Sequence, residues 1–208
     1  MTESPRGGCD DFGGDRPLWR HGLPVLTDGM VTLREVELRD AAALFEAASS
    51  PDVEQHIARP PSTQEGFRHF IRWARRERRN NRHASFAVIP AGHDAPVGLI
   101  QMWPIGPGFH TAEWGALVDP HYWGSEVFVR GSLLLFAYAF GELGVRRLEA
   151  RACLDNQRGH AALRKLGARQ EMSVHGPCRC GCASTAHVMW SILAEDWRAA
   201  SRSVRGVA

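Results

Sequence analysis

The chain has 208 residues, a net charge of +2, 44% apolar side chains and 23% charged ones. That balance suits one globular domain with short tails, and the total charge makes no case for a nucleic-acid binder. No run approaches the ~20 apolar residues of a membrane span and no apolar leader opens the chain, so a cytoplasmic location is expected.

Residues 1–22, rich in glycine, proline and charge, read as a flexible tail, and 199–208 as a second one; 23–198 read as the domain. Leu18 and Trp19 are apolar residues in that first tail with no docking partner legible in the sequence. From Met30 to Val36 the alternation of MVTLREV predicts a strand. Asp40 stands where an N-cap would, before the short helix AAALFEAAS, which Ser50-Pro51-Asp52 breaks. Ser62 or Thr63 is placed to cap a second helix, whose Phe67, Phe70, Ile71 and Ala74 form an apolar stripe. Its other faces carry Arg68, Arg72, Arg75, Arg76, Arg78 and Arg79, which read as a solvated face or as a surface for an acidic or nucleic-acid neighbour.

SFAVIP and VGLIQMW flank a turn at Ala91–Asp94 and read as a hairpin. In the strand after the loop PIGPGFH, Thr111, Glu113, Gly115 and Leu117 point one way and Ala112, Trp114, Ala116 and Val118 the other. A helix follows Gly124 with Leu133, Phe136, Ala137 and Phe140 on its predicted core face, and ends near Gly144. The strand Leu148–Leu154, a helix capped by Asp155 or Asn156 and ending at Gly167, and two last strands complete the pattern. Strands outnumber helices early on, which predicts a mixed α/β sheet with helices on both faces.

Five cysteines do not form a disulfide framework. Cys178, Cys180 and Cys182 form a C-x-C-x-C cluster with His175 and His187 nearby, but zinc sites use the wider C-x₂₋₄-C spacing, so no metal is expected. The stretch from Glu113 to Gly167 is the most informative, because its glycine turn at Gly124 falls between a strand and a helix. N–H groups at a helix start are unpaired and partially positive, a ready site for a phosphate or pyrophosphate.

Four segments together resemble the GNAT superfamily of acetyl-CoA-dependent N-acetyltransferases, nearest the branch with the ribosomal-protein N-terminal acetyltransferases. They are MVTLREVELRDA, AEWGALVDPHYWGSEVF, FAYAFGELGVRRLEARACLDNQRGHAALRKLGARQE and VMWSILAEDW, within about Leu23 to Arg198. The resemblance implies a mostly antiparallel sheet, splayed at the cofactor strand by a bulge near Leu117 and Val118, whose backbone would face the pantetheine arm of acetyl-CoA. The pyrophosphate loop Q/R-x-x-G-x-G/A falls on His121 to Glu126: Gly124 fits, while His121 and Glu126 depart from it. The backbone amides of Ser125, Glu126, Val127 and Phe128 are implied to hold the diphosphate, with Asn156 on the cofactor arm. The carboxylate of Glu126 would oppose that diphosphate unless it turns away.

An amine must be neutral to attack a thioester, so Glu113 is the candidate general base, acting through a water; an ion-paired structural carboxylate is its other reading. Leu163 stands where many relatives have a tyrosine acid and Gly159 where they have Ser or Ala, which leaves His160 as a neighbouring acid or as a packing residue. Trp103, Phe109, Trp114 and Trp123 are expected to wall the acceptor pocket or to fill the core. The implied activity is direct acetyl transfer from acetyl-CoA to a primary amine, a peptide or protein N-terminus or a small molecule such as an antibiotic. The alternative is a catalytically weak acyl-CoA-binding module. Neither a membrane nor a nucleic acid is the expected partner.

Overall fold

A computed structural model describes residues 19–54, 56, 60–106, 109–175 and 186–205. Residues 1–18 of the expected tail, and Cys178, Cys180 and Cys182, lie outside the described residues.

The strands are β1 (Leu26–Thr27), β2 (Val31–Glu35), β3 (Ala84–Pro90), β4 (Gly98–Pro104), β5 (Thr111–Val118), β6 (Arg147–Cys153), β7 (Arg169–His175) and β8 (Ala186–Leu193). They form one sheet in the order β1-β2-β3-β4-β5-β6-β8-β7. Neighbours are antiparallel except β5 and β6, which run parallel. The helices are α1 (Ala41–Ala48), the single turn α2 (Pro51–Glu54), α3 (Gln64–Arg79), α4 (Val127–Gly141), α5 (Gln157–Lys165) and α6 (Ala194–Arg205). The mixed, mostly antiparallel α/β fold read from the sequence is the fold observed.

Each face of the sheet has its own core. On one, Ile100, Trp114 and Trp190 pack with Leu135, Phe136 and Phe140 of α4. On the other, Ala87 and Leu99 lie under Leu44 of α1 and Phe67 and Ile71 of α3. The stripe predicted for α3 is therefore the buried one, and the Thr63 side chain caps the helix by accepting from the N–H of Gly66 at 3.0 Å.

Two predicted details differ. Asp40 makes no side-chain bond to the start of α1. Its carboxylate accepts instead from the Glu37 N–H at 2.7 Å and from both terminal nitrogens of Arg34, because it is buried and a guanidinium offers charge-assisted bonds there. The core face of α4 is also rotated from the predicted one. Ala137 is exposed, while Gly131, Ser132 and Ala139 are buried. Small residues mark where α4 comes nearest the sheet: a Cβ on Gly131 would sit 2.9 Å from Cδ1 of Ile100. Choosing the face by bulk points a third of a turn away from it.

The folded chain begins before the expected boundary at 23. Trp19 is 2% exposed and meets Phe109 edge-on with ring centroids 5.2 Å apart. Its carbonyl, with that of Arg20, accepts from the Arg78 guanidinium, whose Nε donates to Glu35 Oε1 at 2.6 Å. Arg78 thus leaves the solvated face predicted for its helix and joins α3, β2 and the N-terminal turn. At the other end α6 runs to 205, past the expected limit of 198.

At the far edge, β7 carries a register shift between Gln170 and Met172. The carboxylate of Glu171, the residue between them, meets Arg147 at 2.5 and 2.7 Å and accepts from the Ser191 hydroxyl at 2.5 Å. Arg147 first, then Ser191, draw its pKa from 4.5 down to about 2. A depressed carboxylate stabilises the fold fully above its unfolded value and loses that contribution as pH falls through the folded one. Glu171→Gln is expected to lower Tm at pH 7 and to match the parent protein near pH 2, as read by thermal denaturation at stepped pH.

Candidate active site

Between β5 and β6 the sheet opens. The two strands pair only at Thr111–Arg147, Ala112–Leu148 and Glu113–Glu149. Beyond Glu113, β5 stays with β4 as far as Val118–Gly98, and β6 stays with β8 as far as Cys153–His187. A wedge results, with Glu113 at its apex. The bulge expected at Leu117 and Val118 is absent: the β4–β5 register runs unbroken from Gly98–Val118 to Pro104–Ala112. The splay comes from β6 following β8.

The wedge continues into a cleft of about 540 Å³, walled by β5, the turn after it, α2 and α5. The turn is built locally. The Asp119 carboxylate accepts from the His121 N–H at 2.9 Å, and the Trp123 indole donates to the Val118 carbonyl at 2.9 Å. Gly124 then takes φ +81°, a conformation that strains any residue with a Cβ, and turns the chain into α4. The Ser125 hydroxyl donates to the Tyr122 carbonyl and accepts from the Val127 N–H. Among the described residues no acceptor meets the N–H groups of Gly124, Glu126, Phe128 and Val129. These open donors stand at the start of a 15-residue helix, where the macrodipole adds to their partial charge.

Of the residues expected to touch a cofactor, Leu117, Val118, Gly124, Ser125, Phe128 and Asn156 line this cleft. Val127 and Glu126 do not. The Val127 N–H is taken by Ser125 and its side chain is in the core. The Glu126 carboxylate meets Lys165 Nζ at 2.7 Å, and that contact lowers its pKa. The Glu126 carboxylate thus has a counter-charge, and that lysine itself lines the cleft. Asn156 caps α5, its Oδ1 accepting from the Gly159 N–H at 2.7 Å, and it also borders the cleft.

Glu113 is apart from the cleft wall, at the apex, with its side chain 16% exposed. Burial raises its pKa above 4.5; Arg151, its Nε 3.5 Å away, and a hydrogen bond from Trp103 act in the opposite direction, while Glu149 adds to the rise. The ion pair expected as one reading of Glu113 is present, with Arg151 as the partner. Beside it, Trp103 stacks on His83 at 5.6 Å, and His83 Nε2 lies 2.8 Å from Gln101 Oε1.

His160 is not brought to this site. It is 4% exposed, its Nδ1 accepts from the Trp190 indole at 3.1 Å, and its Nε2 lies 3.1 Å from the Leu154 carbonyl. Those partners fix the neutral tautomer with its proton on Nε2. Protonating Nδ1 would cost the buried Trp190 bond, so the geometry does not support an acid role. Leu163 is likewise core. Among the four aromatics expected to wall a pocket, Phe109 and Trp114 are core, while Trp123 lines the cleft with the Arg158 guanidinium 4.3 Å above its ring.

The sequence reading passed over Arg158, Lys165, Asp52, Val53 and His56, all in the cleft wall. For α5 a signal existed: Arg158, Ala161, Ala162 and Lys165 follow the i, i+3, i+4, i+7 spacing of one helix face, and all four line the cleft. For α2 there was none, since its place depends on tertiary packing. Among the described residues no group of three or more His, Cys, Asp or Glu is placed to hold a metal ion, and no helix is long and apolar enough to cross a membrane.

Residues 30–169 match the family profile described as Acetyltransferase (GNAT) domain. A curated relative from Bacillus subtilis (strain 168), named Uncharacterized N-acetyltransferase YnaD, is 24% identical over 83% of this chain and 98% of its own length. Among solved structures, Mycobacterium smegmatis RimJ in complex with CoA-disulfide is similar with TM-score 0.75 at 21% identity, covering 87% of this chain and 91% of that one. A putative ribosomal-protein-serine acetyltransferase from Vibrio cholerae is similar with TM-score 0.72 at 19% identity, covering 82% and 97%.

Proposed function

The chain belongs to the GNAT acetyltransferase family, and from that premise we propose that it moves an acetyl group from acetyl-CoA to the primary amine of a peptide or protein N-terminus. The observation that carries this reading is the wedge between β5 and β6, with open amides of the Gly124 turn and the start of α4 at its wide end and a half-buried carboxylate at its apex. The N–H groups of Gly124, Phe128 and Val129, all residues of the cleft wall, bind the diphosphate of the acyl donor, and Arg158 and Lys165 add positive charge from α5. Asn156, Leu117 and Val118 line the path of the arm that leads inward.

Glu113 takes a proton from the incoming ammonium through a water, which gives the free amine that the reaction needs. The nitrogen then bonds to the acyl carbon and gives up a second proton to solvent, the carbon–sulfur bond breaks, and the thiolate takes a proton from solvent. No acyl-enzyme forms. Holding both reactants in one wedge supplies the rest of the acceleration by proximity. The choice of a peptide or protein acceptor is favoured by the two structural relatives, one named as RimJ and one as a putative ribosomal-protein-serine acetyltransferase.

Calorimetric titration with acetyl-CoA, followed by thiol release against a panel of N-terminal peptides and small amines, tests the proposal. Binding with release on peptides is the expected result. Release only on small amines moves the acceptor class, binding without release on any amine leaves an acyl-CoA-binding module, and no binding overturns the reading. Glu126→Gln is expected to tighten acetyl-CoA binding several-fold, because it removes the carboxylate that competes for Lys165. Weaker binding in the same titration would show that the Glu126–Lys165 pair instead orders the loop.

A further inference from the structure

We propose that the arginine-lined flank of α3 binds the phosphodiester backbone of a nucleic acid. The total charge of +2 conceals a strong local excess. Arg68, Arg72, Arg75 and Arg79 recur at helical spacing along one side of α3, and the last three, with Arg78 and Leu38, line a groove of about 270 Å³. Among the described residues two carboxylates pair with four of these five arginines. Glu65 is shared by Arg68 at 3.6 Å and Arg72 at 3.2 Å. Glu35 is shared by buried Arg78 at 2.6 Å and Arg75 at 3.8 Å. Arg79 has no carboxylate partner among the described residues; its Nε only reaches the Arg75 carbonyl at 3.4 Å. Five against two leaves an excess of three positive charges, larger than the net charge of the whole chain.

The shape of the patch selects the ligand. The four arginines form a row rather than a nest, spanning about 16 Å at the helical rise per residue. A row suits a chain of repeating phosphates. The heads of Arg68, Arg72 and Arg75 are accessible, with side chains 39%, 52% and 44% exposed. Guanidinium groups also meet phosphate oxygens in pairs. The opposite flank of α3 carries Phe70 and Trp73, and Trp73 leans on His83 beside Trp103. The cleft is lined by no residue of α3, so backbone binding and acetyl transfer use separate surfaces, and neither proposal depends on the other.

The test is fluorescence anisotropy of the full chain with a labelled single-stranded RNA and a labelled duplex DNA of about 20 nucleotides, at salt from about 50 to 200 mM. Binding in the micromolar range is expected, with log K falling by about 2 to 3 per decade of salt, as for three neutralised phosphates. Arg72→Gln/Arg75→Gln/Arg79→Gln is expected to lose at least tenfold and to flatten that slope with Tm unchanged, whereas Arg169→Gln, remote and exposed, keeps the parent affinity. Preference for the RNA or the DNA identifies the source of the backbone. Any of three results overturns the proposal: no binding at the lowest salt, a triple variant that binds like the parent, or displacement by inorganic phosphate but not by sulfate at equal ionic strength. A poly-glutamate peptide that binds as tightly as either oligonucleotide also overturns it, in favour of an acidic protein.

Discussion

Glu113→Gln is expected to lower kcat by on the order of 10²–10³ while acetyl-CoA binds as before, the loss typical of a removed general base. The amide keeps the shape of the side chain and its bond from Trp103 but cannot take a proton. Since burial raises the pKa of Glu113 above 4.5, the active deprotonated form grows as pH rises through that higher value, and kcat/KM in the parent follows the same limb. In the variant that limb disappears. The sign for stability is opposite to that of an ordinary ion-paired carboxylate. A raised pKa means the folded state holds the charge less well than the unfolded chain, so a cost develops above 4.5 and is complete once pH exceeds the folded value. The variant should therefore melt no lower than the parent at neutral pH. Unchanged turnover with an intact pH profile would remove Glu113 from the mechanism. A lowered Tm would point to the structural reading of the residue.

Arg78→Met should produce the largest loss of stability among single changes outside the apolar core, about 3–5 kcal/mol, the range for a buried pair that loses one member. The Arg78 side chain is 9% exposed and that of Glu35 18%. Methionine fills much of the volume but leaves the carboxylate facing Arg75 alone at 3.8 Å, and it strands the Trp19 and Arg20 carbonyls. Guanidinium chloride denaturation checks this through the midpoint, provided the slope is unchanged. Adding Glu35→Gln should recover part of the loss by removing the uncompensated charge. A shift below about 1 kcal/mol would mean that water reaches the pair and screens it.

Most of the architecture was legible because it depends on periodicity. The alternation in β5, the stripe of α3 and the turn chemistry at Gly124 are local signals, and each lies where the pattern puts it. The resemblance carried the mostly antiparallel sheet and its splay at the cofactor strand, while the parallel β5–β6 pair, which no periodicity encodes, emerged only in the fold. What stayed hidden depends on distance across the fold. Arg78 looks like its exposed neighbours until β2 and the N-terminal turn arrive beside it. His160 reads as available until Trp190 closes on it. The Glu126–Lys165 pair joins residues 39 positions apart, so the apparent conflict at Glu126 had no visible remedy in the chain order. Short elements were missed as well: the two residues of β1 give no alternation to count.

The burial of Trp19 has a practical consequence for how this protein is trimmed. The segment shared with the family profile begins at residue 30, and a fragment cut there looks complete by homology. It would lack the indole that abuts Phe109 and the two carbonyls that quench Arg78. Such a fragment would open a greasy socket beside a guanidinium that keeps Glu35 but loses its two carbonyl acceptors, so it should be prone to clumping, while a version starting a few residues ahead of Trp19 stays dispersed.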